Sequence, residues 1–67
     1  MEFWRMKDVS QATGLSRTEI HRRIKLGQFP DSRPYPGDGI ARFWPSTEIV
    51  KWQREILGED EFEALLR

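Results

Sequence analysis

The chain contains no cysteine and a single histidine, His21. Those absences exclude a disulfide framework, a Cys/His zinc site and a cysteine nucleophile. No apolar run approaches the ~18 residues of a membrane span. The opening Met1-Glu2-Phe3-Trp4-Arg5 lacks the apolar stretch of a signal peptide, so neither a membrane nor a secretory route is expected. Net charge is absent too, with 11 Lys and Arg against 11 Asp and Glu. At 67 residues there is room for one small domain. Such a domain buries roughly 60% of its unfolded surface and is marginally stable. It also has little room for a shaped catalytic cleft. What is present is a 37% hydrophobic composition with three Trp and four Phe, so the core must come from apolar packing alone. The sequence therefore predicts a single domain over 1–67, not an enzyme, with no cofactor, no metal and no small-molecule substrate.

The neutral total hides a polarity along the chain. Residues 1–44 carry eight Lys or Arg against five Asp or Glu, a balance of +3, and residues 45–67 carry three against six, a balance of −3. A basic front is a weak pointer to nucleic acid, and a solvated surface accounts for the charges equally well at this stage.

Val9 and Ala12 fall on one helical face, which predicts a first helix over about 7–13, with Gly14 at its carboxyl cap. Ser16-Arg17-Thr18-Glu19 has the spacing of a capping box. Ile20 and Ile24 follow at i, i+4, giving a second helix over about 17–26 that Gly27 and Phe29-Pro30 end. Residues 33–44 predict a two-stranded ribbon with its tip at Gly37-Asp38-Gly39, Tyr35 on one side and Ile40 and Phe43 on the other. Phe43 and Trp44 would lean it on the helices, because two strands alone are marginal. Ser46 is expected to cap a third helix over 46–57, with Ile49, Trp52 and Ile56 facing the core. The tail 59–67 would form a short fourth helix with Phe62, Leu65 and Leu66 on one side. Trp44 and Trp52 are expected in the core, and Trp4 is open to an exposed position.

Two short helices joined by Gly14-Leu15-Ser16 form a helix-turn-helix pattern, whose second helix enters a DNA major groove. Ile20 and Ile24 would anchor that helix, leaving Arg17, Thr18, His21, Arg22 and Lys25 mostly off the apolar line. Arg reads guanine edges, and Lys, Thr and Ser hold phosphates. The same basic face would also serve to solvate a surface helix. His21 is either a ring packed near the third helix or a groove contact. A ribbon beside a recognition helix is a wing, which puts Arg33 and Arg42 near a minor groove or backbone. Alternatively Arg42 pairs with Glu48 or Asp38.

The run Val9-Ser10, Thr13-Gly14-Leu15-Ser16-Arg17-Thr18-Glu19-Ile20, Arg22, Ile24-Lys25, Gly27, Phe29-Pro30, followed by Trp44, Ser46-Thr47-Glu48-Ile49 and Trp52, resembles the AlpA-like phage and prophage regulators. The resemblance covers about residues 4–54. It implies a mainly α, winged helix-turn-helix DNA-binding domain related to the MerR type, with Ser16, Arg17, Thr18, His21 and Arg22 on the recognition helix and Arg42 on the wing. His21 stands where a Tyr is frequent in that family, and Arg23 where an aliphatic residue is frequent. One residue separates Arg42 from Trp44, where the family usually has Arg directly before Trp. The resemblance implies a cytoplasmic, nucleoid-associated protein of a prokaryotic cell, with double-stranded DNA as partner and an integrase or a second copy of itself as further candidates. The activity implied is transcription regulation. The alternatives are an excisionase that bends attachment-site DNA, or a protein-interaction module that inhibits another regulator, for which the acidic tail with Phe62 and Leu65 would supply a partner helix.

Overall fold

The computed structural model describes residues 1–37 and 39–65. The expectations for Asp38, Leu66 and the Leu65 side chain lie outside what it describes. The chain runs β1 (Phe3–Trp4), α1 (Met6–Thr13), α2 (Arg17–Lys25), β2 (Arg33–Pro34), β3 (Arg42–Pro45), α3 (Ser46–Leu57) and α4 (Glu59–Leu65). This is a helix-turn-helix with a small β wing, the fold class that the sequence predicts.

The turn between α1 and α2 is held by short polar side chains. Gly14 adopts φ 75°, the left-handed geometry a glycine cap supplies, and its amide donates to the Ser10 carbonyl. The Thr13 hydroxyl donates to the Val9 carbonyl and accepts from the Leu15 amide, while the Ser10 hydroxyl donates to the Leu15 carbonyl. Both ends of the Leu15 backbone are thereby fixed. Ser16 then caps α2, its hydroxyl accepting from the Glu19 amide at 3.2 Å. Only this half of the expected capping box forms as foreseen, because the Glu19 carboxylate accepts from Arg22 instead.

Three strands make one antiparallel sheet in the order β1-β3-β2. Phe3 faces Pro45 and Trp4 faces Trp44, while Arg33 faces Phe43 and Pro34 faces Arg42. The β2–β3 ribbon is the expected wing. β1 is an addition that the pattern did not announce, since two residues are too few to show alternation. It changes the account of Ser46. Pro45, not Ser46, is the N-cap of α3. Ser46 is buried, its hydroxyl accepts from the Glu2 amide at 2.7 Å, and its own amide donates to the Glu2 carbonyl at 2.7 Å. The residue that would cap a helix instead ties the amino-terminal strand to the start of α3.

The core joins Val9, Ile20, Phe29, Trp44 and Ile49, with Trp4, Met6, Leu15, Ile24 and Trp52 packed around it. Trp44 Nε1 donates to the Pro30 carbonyl at 2.8 Å, and Trp52 Nε1 donates to the Gln28 carbonyl at 3.0 Å. The two indoles thus fasten the segment after α2 to the sheet and to α3. Trp4 is half-buried against this core, with its Nε1 donating to a Glu2 carboxylate oxygen. Ile56 departs from expectation: it is 57% exposed. It shares a helical face with Ile49, but it lies roughly 10 Å further along the axis, past the end of the core. Behind the sheet, Phe43 stacks on Phe3 at 4.4 Å and Tyr35 leans on Phe43 at 4.7 Å. Phe62 of α4 is 2% exposed, with the Arg54 guanidinium 4.8 Å from its ring centre. The tail helix therefore docks on α3.

Candidate nucleic-acid interface

Helix α2 is inserted into the molecule by its apolar line. Ile20 is fully buried and Ile24 packs on the core. With 3.6 residues per turn, Arg17, His21, Lys25, Thr18 and Arg22 occupy a contiguous arc of roughly 140° that starts beside the apolar line and ends opposite it. All five are exposed, as is Ser16 at the cap. Ser16 still has a hydroxyl proton to donate, because its oxygen is the acceptor in the capping bond.

One edge of this arc opens into a cleft of about 490 Å³ between α2, the start of α1 and the wing. Arg5, Arg17, His21 and Arg42 line it, together with Met6, Ser32, Ile40, Ala41 and Trp44. No carboxylate stands among the described residues that line it. Arg5 arrives there because it is the N-cap of α1, its amide donating to the Asp8 carboxylate at 3.0 Å. Arg42 arrives through Ser32. Its Nε donates to the Ser32 hydroxyl at 2.6 Å and its Nη2 to the Ser32 carbonyl at 2.7 Å. The guanidinium is thereby held across the base of the wing, with further N–H groups to offer.

The structure divides the sequence-selected residues into groups. Arg17, His21 and Arg42 converge on the cleft, while Ser16, Thr18, Arg22 and Lys25 extend the same surface along α2. His21 lies on this exposed side, not as a ring packed near α3. Arg33 goes elsewhere: its guanidinium pairs with Glu48 on α3. The carboxylate that was a candidate partner for Arg42 is thus taken by the other wing arginine. Arg22 is also engaged, its Nε and Nη2 donating to the two Glu19 oxygens at 3.3 and 3.0 Å. This hydrogen bond, and then the charge of Arg22, holds the Glu19 carboxyl below its ordinary range and raises Arg22 further. Arg23 approaches the same carboxylate at 3.7 Å, on the side away from the cleft.

Two site residues escaped the sequence reading. Arg5 carries no signal in the sequence, because its position depends on the two-residue strand before it. Ser32 had a faint one, as a short hydroxyl residue one position before the wing strand, where side chains commonly bond backbone.

A second groove, between the end of α2 and α3, is lined by Arg23, Phe29, Trp52 and Ile56 with Glu48, Lys51 and Glu55. Its charges are mixed, unlike those of the cleft. Among the described residues no group of His, Cys, Asp and Glu could hold a metal. Among the described residues no helix is long and apolar enough to cross a membrane.

No curated protein and no solved structure gives a significant match to the chain. The family described as Prophage CP4-57 regulatory protein (AlpA) matches residues 2–57. That span begins just before β1 and ends with α3, so it takes in the helix-turn-helix, the wing and every core residue except Phe62 of α4. The chain belongs to the AlpA family of prophage regulatory proteins.

Proposed function

We propose that this protein binds double-stranded DNA in a sequence-specific manner as a small transcription regulator, with α2 in the major groove and the wing on the neighbouring backbone or minor groove. The observation that carries the reading is the convergence of Arg5, Arg17, His21 and Arg42 beside the exposed arc of α2, with no carboxylate among the described residues that line the cleft. Membership of a prophage regulatory family supports it. A helix with its side chains is roughly 10–12 Å across, a width suited to a groove about 12 Å wide. In this docking Arg17 and Ser16, at the amino end of α2, take a phosphate, where the helix N–H groups and dipole favour an anion. Thr18, His21, Arg22 and Lys25 face base edges and flanking phosphates. Arg42, braced by Ser32, meets the backbone from the wing, and Arg33 contributes only by leaving Glu48. No nucleophile or general base is needed for any of this.

The test is binding to a duplex selected by the wild-type protein from a randomised pool, compared with random duplex, over a range of salt. The expected result is a preference for the selected duplex, with log affinity falling by about 0.9 per phosphate contacted for each log unit of salt. Arg17→Ala and Arg42→Ala should each flatten that slope by about 1. A protein that selects no sequence and shows no salt dependence overturns the reading. Footprints on DNA flanking the native gene then separate a promoter regulator from an excisionase: one footprint lies at a promoter, the other across an attachment site.

A further inference from the structure

Glu19 stands out on α2 because it is the one acidic residue on a helix that presents five exposed basic or polar groups. It does not offer a free negative charge. Its carboxylate receives the side-on fork of Arg22, Nε at 3.3 Å and Nη2 at 3.0 Å, and Arg23 approaches it from the other side at 3.7 Å. Its own amide is held by the Ser16 hydroxyl. The acid is therefore fixed at the backbone by the cap and at the side chain by the Arg22 fork, with the charge of Arg23 close by.

A guanidinium can grip a flat acceptor pair either from the side, with Nε and one terminal nitrogen, or end-on, with both terminal nitrogens. Glu19 uses the side-on edge of Arg22. What remains for a ligand is the end-on edge, at the tip of a side chain that is 55% exposed. A guanine in the major groove presents two acceptors, O6 and N7, that match such a pair of N–H groups. A phosphate can be met by either edge and from many angles. An anchored Arg22 thus keeps its fit to a guanine and loses much of its freedom to chase phosphates. The negative charge of Glu19 further opposes any phosphate that approaches Arg22 or Arg23.

We propose that Glu19 is a specificity-determining positioning residue, which fixes Arg22 for end-on contact with a guanine and suppresses its non-specific contact with phosphates. This rests on the DNA-binding reading above, and concerns how that surface discriminates between sequences.

The probes are the duplex selected by the wild-type protein and a random duplex of equal length. Glu19→Gln retains the size and polarity of the side chain and removes its charge. It should bind random duplex more tightly and lose more affinity with salt. Each additional phosphate contact costs about 3.5-fold between 50 and 200 mM salt. Preference at one guanine of the site should fall about fivefold or more, while other positions keep theirs. In an Arg22→Ala background the same substitution should leave every base preference unchanged, because Glu19 acts through Arg22. Thermal melts of both variants show whether the fold is intact, and a uniform loss of folding would not erase preference at a single base pair. If Glu19→Gln leaves the preference at every position unaltered, or alters it equally with Arg22 absent, the positioning role is overturned. If the wild-type protein selects no sequence, the DNA-binding reading fails first and this inference falls with it.

Discussion

Glu19 and Arg22 lie three residues apart on α2 and are joined by two hydrogen bonds. The Arg22 hydrogen bond lowers the Glu19 carboxyl below its ordinary value. A carboxylate whose folded pKa is depressed stabilises the fold above its unfolded pKa, and that contribution is lost as pH falls through the lowered value. The pair is solvent-exposed, so the contribution is small and screened by salt. The clearer readout is local. The Glu19 carboxyl carbon, followed by NMR, should titrate below the usual glutamate midpoint and move up towards it in Arg22→Ala. An unshifted midpoint in the wild-type protein would mean that the fork is not populated in solution. At this scale the sequence was partly legible. The spacing of Ile20 and Ile24 was enough to assign Thr18, His21, Arg22 and Lys25 to the open face by helical geometry, while Arg17, only about 20° from Ile24, is exposed in the first turn of the helix. It could not say which guanidinium would find a carboxylate. Arg33 rather than Arg42 reaches Glu48, because the antiparallel register sets Arg33 beside Phe43 and brings it against α3.

Helices were more legible than strands, and the reason lies in their signals. Gly14, Ser16 and the i, i+4 isoleucines each carry a local physical instruction, and α1 and α2 form where those instructions put them. The turn between them makes a sharp prediction. Gly14 sits at φ 75° with open space around it, so Gly14→Ala meets no neighbour and incurs only backbone strain. The cost should be about 1–2 kcal/mol, read by denaturant unfolding. A neutral substitution would show that the turn relaxes. By contrast, β1 has no local signature, and its existence follows from Ser46 and Trp44 on distant elements. Removing the Ser46 clasp with Ser46→Ala should cost about 1–3 kcal/mol, since the Glu2 amide loses its acceptor in a partly buried place. Trp52 belongs to the same level of organisation. Its ring lies 4.8 Å from Phe29 and its Nε1 reaches the Gln28 carbonyl. Trp52→Ala should cost on the order of 3 kcal/mol, the lower end for a large aromatic because the ring is only half-buried. That is a large fraction of a small domain's stability, so the variant should melt well below the wild type. A melt unchanged from wild type would mean that α3 is held without this indole.

Taken whole, the molecule is elongated. Its radius of gyration is 12.6 Å, against about 11 Å expected for a compact domain of this length. Its extents of 40 × 25 × 17 Å give one long axis comparable to a helical turn of B-DNA, about 34–36 Å. The charge asymmetry of the sequence becomes spatial along this shape. The basic half builds the cleft and the α2 arc, while α4 carries Asp60, Glu61 and Glu63 onto α3, with Phe62 buried beneath. The composition showed two halves of opposite sign, but only the docking of Phe62 shows that the acidic half is anchored to the fold. In the DNA-binding reading the acidic helix does not touch the duplex and acts on it only through the solvent. Screening then limits its reach to a Debye length, about 10 Å at 0.1 M salt and about 30 Å at 0.01 M. Replacing Asp60, Glu61 and Glu63 together by Asn, Gln and Gln keeps Phe62 and the helix in place. Affinity for random duplex, measured by fluorescence anisotropy, should rise at about 0.01 M salt and return to the wild-type value near 0.15 M. A rise that persists at the higher salt would place the acidic helix against the duplex. A fall in affinity, with the melt unchanged, would make it a contact between neighbouring copies on DNA. Either result would require a docking in which α3 and α4, and not α2 and the wing alone, meet the bound assembly.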